Sequence, residues 1–525
     1  MKNIFNNRWS VCRLYSIGLI LLSITACSDE LLEQKNNNAI PLSQFGDTPD
    51  EVEAAINGAF HPLTTPFFWG RVVHTGALLR SDEYNVFEFG SNTAMAGLKA
   101  NPGDRWALEP WQQLYKSIGR ANTIILNTSA EDIPDETLRN SLVGQAYFLR
   151  AFDYWYLVNL YGNVPLVITA PDLDNPLVDQ ETTEKVWEQI IADLEKAETM
   201  LPKNWSGDDL GRPTSGAATA LLGKTHLYRK DWAKAETSLM KVVNSGKYQL
   251  LPASNYGENF GSTNENNIES VFELQFKAVS VFLWGQDIPG TGTQANYLID
   301  YASPGVSPDR GHVINPWLKE LFETNTDEIR RNETLLYNYP NAKGYGNEDF
   351  LIDFKDDIKT AVDAGVEPIF SKKYAGIDLG DRTAVSSVQL GHTYDNNWRI
   401  IRYADVLLML AEAVNNQMRP ADAATYINQV RVRALLTPYT GLSQTAMETA
   451  IIEERAMELA GEGHRFFDLV RWKLADDYLG TNSLHGTPHP KSLVGGTFQS
   501  NRDELIWIPL GEISANPNLK PNPGY

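Results

Sequence analysis

Two stretches of this chain repeat one spacing of small and large apolar residues, and that spacing dictates helices packed in close pairs. In the first, residues 216–229 have a helical pattern. Lys230-Asp231 makes a tight turn, residues 232–244 return as a second helix, and Ser245-Gly246 closes it. Leu222, Gly223, Ala235, Leu239 and Val242 mark the facing positions. Leu410, Ala411, Ala423, Ile427 and Val430 recur at the same offsets, with Pro420 suited to a helix start. Gly or Ala at such places removes bulk between two helices and lets their axes approach closely.

These offsets match those of tetratricopeptide repeats. The match has departures: His226 and Val414 stand where the motif prefers Tyr, and Lys247 replaces its closing Pro. Further helices flank the first pair. Residues 141–161 place Val143, Ala146, Tyr147, Tyr154, Leu157, Val158 and Tyr161 at helical spacing, and Gly162-Asn163 and Pro165 end the run. Residues 184–200 follow, with Val186, Ile190, Leu194 and Ala197 on one face. Arg150 sits inside the first stripe. A buried guanidinium is costly unless paired, so a carboxylate or carbonyl partner is expected, and Asp153, three residues on, is within reach.

Residues 251–398 are rich in Gly, Pro, Asn and Asp and hold few clear helices, although Phe272 to Phe276 alternates like a short strand. An irregular insertion held against a helical scaffold is expected, and loops on rigid scaffolds often carry binding. The predicted fold class is all-α: a tetratricopeptide-like helical-pair scaffold with a large irregular insertion carrying the ligand site. The expected divisions are a leader over 1–26, a tether over 27–38, an N-terminal region over 39–250, the insertion over 251–398, and a C-terminal region over 399–525.

The N-terminus reads as an address. Lys2, Arg8 and Arg13 precede a short apolar run from Leu14 to Ala26, too short to span a bilayer as a helix. Ile24-Thr25-Ala26-Cys27 resembles a bacterial lipobox, which makes Cys27 the expected lipidation site and a lipid anchor the expected membrane contact. Ser28-Asp29-Glu30 resembles an acidic export signal for outward-facing lipoproteins. Cys12 and Cys27 are the chain's two cysteines, so no disulfide or Cys-based metal site is possible beyond residue 27. A formal charge of −21 argues against nucleic acid as a partner.

Three blocks, in order, resemble the SusD/RagB family: 146–166 (AYFLRAFDYWYLVNLYGNVPL), 402–415 (RYADVLLMLAEAVN) and 453–472 (EERAMELAGEGHRFFDLVRW). The ending at 505–525 resembles that family's usual ending. The resemblance implies four tetratricopeptide-like pairs and a non-catalytic, outer-membrane lipoprotein. Such a protein captures oligosaccharides for a SusC-like, TonB-dependent transporter. A peptide-capturing member of the same family, a glycoside hydrolase and a ligand-blind protein scaffold are the rival readings.

Catalysis is not expected. Glu454, Glu458, Glu462, His464 and Asp468 suggest acid–base work, but Arg465, Asp468 and Arg471 fall at i, i+3, i+6 and read as an ion-pair ladder above Phe466, Leu469 and Val470. No metalloprotease, phosphate-loop, nucleophile-elbow or dinucleotide fingerprint occurs. No cofactor is expected. The acidic run Glu348, Asp349, Asp353, Asp356 and Asp357 has ligands for a structural calcium but lacks a calcium-loop pattern, and a solvated loop is the preferred reading.

Sugar recognition needs flat aromatic faces and fixed polar groups. Phe67-Phe68-Trp69 with Arg80, Asp82, Glu83 and Tyr84 offers both. So does Trp284 with Gln286, Asp287, Asn296, Tyr297 and Tyr301. The predicted ligand contacts are Trp69, Arg80, Asp82, Trp284, Asn296, Tyr297 and Tyr301, with Trp284 the leading ring. Trp106 is weaker; Trp111, Trp155, Trp187, Trp232 and Trp472 read as packing.

Overall fold

The computed structural model describes residues 48–86, 91–99, 103–173, 175–277, 301, 312–383, 394–486, 491 and 494–525. Eight helices form four pairs: α1 (Pro49–Phe60) with α2 (Arg105–Asn127), α3 (Glu136–Tyr161) with α4 (Thr183–Met200), α5 (Ser215–Tyr228) with α6 (Trp232–Asn244), and α7 (Tyr403–Asn415) with α8 (Pro420–Arg433). Consecutive pairs stack in that order, α2 on α3, α4 on α5, and α6 on α7. Two more helices, α9 (Gln444–Glu458) and α10 (Arg465–Trp472), follow, and α9 packs on α7 and α8.

Local chemistry sets the helix starts. The side chains of Thr48, Asp135, Thr182, Thr214 and Ser443 each accept from a backbone N–H in the first turn that follows. Pro420 opens α8, as its spacing predicts. The close approach inferred from Gly223 is present, because a Cβ there would lie 2.7 Å from the Leu239 side chain of α6.

Helix α3 lies between α2 and α4 and is buried on nearly all faces from Leu142 onward. Arg150 on it is ion-paired, but with Asp193 of α4 rather than Asp153: Nε and Nη2 donate to the two carboxylate oxygens at 2.8 and 2.7 Å. A bidentate partner on the next helix outcompetes a monodentate one along the same helix. Asp153 instead lies beside Ser117 of α2, and burial holds its carboxyl well above the usual range.

The insertion is more regular than its composition suggests. It contains helices Pro316–Thr324, Glu328–Thr334, Phe350–Asp353 and Lys355–Asp363. Short antiparallel ladders stitch it to the scaffold: β1 (Tyr84–Val86) pairs with β3 (His312–Ile314), and β2 (Ser270–Leu274) with β4 (Trp398–Arg402). The C-terminal tail docks on the end of α3. Ile506 N–H donates to Leu160 O at 2.8 Å, and the Asn522 amide donates to Tyr161 O at 3.0 Å. Gly162 (φ 73°) turns the chain where Leu505 leaves no room for a Cβ.

Gly223→Val should overpack the α5–α6 contact and lower stability by about 1–3 kcal/mol in urea denaturation. A change below about 0.5 kcal/mol would show that the helices do not depend on this close approach.

Candidate functional site

The insertion meets the scaffold at a buried ionic node supplied largely by residues 453–472. Arg402, at the end of β4, donates through Nε to Glu462 at 2.7 Å and through Nη1 to Glu269 at 2.5 Å and Glu458 at 3.0 Å. Arg433 reaches Glu458 at 2.6 Å, Arg330 reaches Glu454 at 2.7 Å, and Lys373 reaches Glu462 at 2.9 Å. All these side chains are buried. Burial by itself would raise the Glu458 carboxyl, but Arg433, Arg402 and Arg330 hold it far below the usual carboxylate range. The three glutamates that suggest acid–base chemistry are therefore ion-paired struts.

The expected ladder on α10 is half present. Asp468 accepts from Arg471 at 2.8 Å and from Arg455 at 2.8 Å. Arg465 turns away and grips Asp82 through Nε and Nη2 at 2.9 and 2.8 Å. His485 Nε2 lies 2.8 Å from the same carboxylate. Those partners hold Asp82 well below its usual range despite burial. Glu83 next to it is pushed up to about 8, first by burial and then by the Asp82 charge.

Four predicted ligand contacts lie within the described residues, and the structure corrects each to an internal position. Trp69 is 4% exposed and packs edge-on against Tyr156 and Trp398. Arg80 donates to Asp503 O and Leu505 O and lies 4.0 Å over the Phe466 ring. Asp82 is consumed by Arg465 and His485. Tyr301 is 3% exposed; its hydroxyl donates to Gly461 O at 2.7 Å. A ring without an exposed face offers no stacking surface to a sugar in solution. Trp106 is buried as well. Trp284, Asn296, Tyr297 and Cys27 lie outside the described residues.

Trp69 and Tyr301 nevertheless meet on Trp398. Tyr301 packs against Tyr84, Tyr374 and Trp398, and Tyr374 stacks on Trp398 with centroids 4.0 Å apart. Val86 pairs with His312, and Phe276 N–H donates to Asn397 Oδ1 at 2.7 Å. The described chain on both sides of residues 278–300, which include Trp284, Asn296 and Tyr297, thus meets at the start of β4: Tyr301 packs on Trp398, and Phe276 bonds to the neighbouring Asn397.

The acidic run of the insertion is less solvated than expected. Arg382 pairs with Asp353 at 3.2 Å and with the buried Asp357, and Asp349 caps the helix after it. Among the described residues no group of three or more His, Cys, Asp or Glu side chains is placed to hold a metal ion.

Two clefts escaped the sequence reading. One, of about 370 Å³, lies between helix Pro316–Thr324, α9 and residues 478–485, and Trp317, Tyr478 and His485 line it. The other, of about 200 Å³, is lined by Trp205, Arg212, Lys247, Tyr248 and Asn266. No periodicity marks either set of lining residues as a group, because each cleft joins segments distant in the chain.

Comparison with known proteins places this architecture. A profile described as "SusD family" matches residues 301–525, and one described as "Starch-binding associating with outer membrane" matches 80–227. The chain is 29% identical to "SusD-like protein P2" of Formosa agariphila, covering 97% of this chain and 98% of the relative. It superposes on a SusD superfamily protein from Bacteroides vulgatus with TM-score 0.75 at 24% identity, covering 92% of this chain and 100% of the other. A structure named "Laminarin binding SusD-like protein" superposes with TM-score 0.71 at 26% identity, covering 91% and 99%.

The Glu83 carboxyl, raised in the fold, keeps its proton from the unfolded value of 4.5 up to about 8. The folded state then binds the extra proton, so this group's contribution to stability falls as pH rises through that window. Glu83→Gln should gain at least about 1 kcal/mol over the wild type at pH 9 relative to pH 4.5, since each pKa unit is about 1.4 kcal/mol. Equal urea midpoints across that range would contradict the assignment.

Proposed function

The chain belongs to the SusD/RagB family, and from that premise we propose that it binds oligosaccharides or polysaccharides without altering them. It delivers them to a SusC-like, TonB-dependent outer-membrane transporter. It works at the outer face of the outer membrane, held by a lipid on Cys27, and uses no cofactor. Trp284, Asn296 and Tyr297 are its ligand contacts, with Trp284 covering the C–H face of a sugar ring.

The observation that carries this reading is the match of residues 80–227 to a profile described as starch-binding and outer-membrane associated. The relative named for laminarin binding, similar across 91% of this chain, points the same way. Two physical facts agree. Glu454, Glu458 and Glu462 are buried and neutralised by arginine and lysine, which suits a scaffold rather than proton transfer. No described helix is long and apolar enough to cross a membrane; attachment in this reading is by the lipid on Cys27.

Isothermal titration against a panel that includes starch and laminarin, with chromatography of the mixtures, tests the reading. One glycan class should bind in the micromolar to millimolar range with no released sugar. Trp284→Ala should weaken it about tenfold, or about 1.4 kcal/mol. Peptide binding without glycan binding would reassign the ligand; product release would overturn the non-catalytic role.

A further inference from the structure

Asp82 binds three of the side chains that line the cavity between helix Pro316–Thr324 and α9. Its carboxylate holds Arg465 and His485, and its carbonyl accepts from Trp317 Nε1 at 2.6 Å. His485 then stacks on Trp317 with centroids 4.2 Å apart and planes 14° from parallel. The Arg465 guanidinium lies 4.8 Å from the Tyr478 ring centroid and 5.4 Å from that of Trp317. These four side chains form the floor of the 370 Å³ cavity, and Glu320 and Glu453 stand in its wall. The volume falls in the range of small-molecule sites, roughly 300–1,000 Å³.

We propose that this cavity is a saccharide site for an uncharged sugar unit, separate from the contacts assigned to Trp284, Asn296 and Tyr297. The proposal rests on the glycan-binding reading above. The chemistry of the walls selects the ligand class. A cationic ligand would meet Arg465, and an anionic one would meet Glu320 and Glu453. A neutral polyol can accept from the guanidinium and donate to the carboxylates, while the aromatic rings cover its C–H face. Because Asp82 fixes Arg465, His485 and Trp317 through hydrogen bonds, those to Arg465 buried and the others part-buried, the floor is ordered before a ligand arrives.

Hydrogen exchange on the full chain tests this with neutral gluco-, manno-, galacto- and xylo-oligosaccharides, and with polygalacturonate and sulfated galactan as anionic counterparts. At least one neutral oligosaccharide should protect residues 316–324 and 476–486, and do so in Trp284→Ala as well. Tyr478→Ala should abolish that protection. Leu484→Arg, at a largely exposed position on the rim, should do the same with the fold intact, which covers the case of a Tyr478 variant that fails to fold. Calorimetric binding that Trp284→Ala removes, with no protection at the cavity from any sugar, would overturn the second site and leave the glycan-binding reading standing. Absence of any binding or protection would remove both. Equal protection by the anionic glycans would overturn the charge selection.

Discussion

The cluster of buried charges around Glu458 is the constraint on which the rest of this molecule depends. Arg402, Arg433 and Arg330 come from a strand, a scaffold helix and an insertion helix, and all three converge on one glutamate. Lys373 and Glu269 bring two more segments of the insertion into the same network. Each of these ions has been taken out of water at a cost of several kcal/mol, recovered only when its partners are in place. Removing one member strands the others. A network of this kind fastens the insertion in one position relative to the helical pairs, whereas apolar packing would tolerate sliding.

The helical scaffold was legible because its signals are local. Gly162, Pro420 and the Gly223–Leu239 approach all act within one or two helices, and Lys230-Asp231 and Ser245-Gly246 mark the boundaries of α6. The partner of Arg150 was not legible, because Asp193 lies on another helix and sequence distance says nothing of that contact. The ion pairs of residues 453–472 show both cases: Asp468–Arg471 spans one helical turn, while Arg465–Asp82 joins residues 383 positions apart.

The site was less legible for the same reason. Trp69, Arg80, Asp82 and Tyr301 have the composition of a sugar-binding surface, and two of them, Trp69 and Tyr301, do meet on Trp398. Composition alone does not report burial, and the folded chain turns all four inward to fix other groups. Trp317, Tyr478 and His485 were passed over because each is unremarkable in its own segment; Asp82 binds Trp317 and His485 directly and meets Tyr478 through Arg465. A residue read as a contact is thus an organiser of contacts, which is a distinction that requires three dimensions.

If the ionic node fastens the insertion to the scaffold, breaking it should loosen the insertion before the helical pairs. Hydrogen exchange of Arg402→Leu against the wild type measures this directly. Ser270–Leu274, the partner strand of Arg402, and the segment around Lys373 should lose protection by at least tenfold, while α5 and α6 keep theirs. A uniform loss across all helices, or none anywhere, would contradict the account.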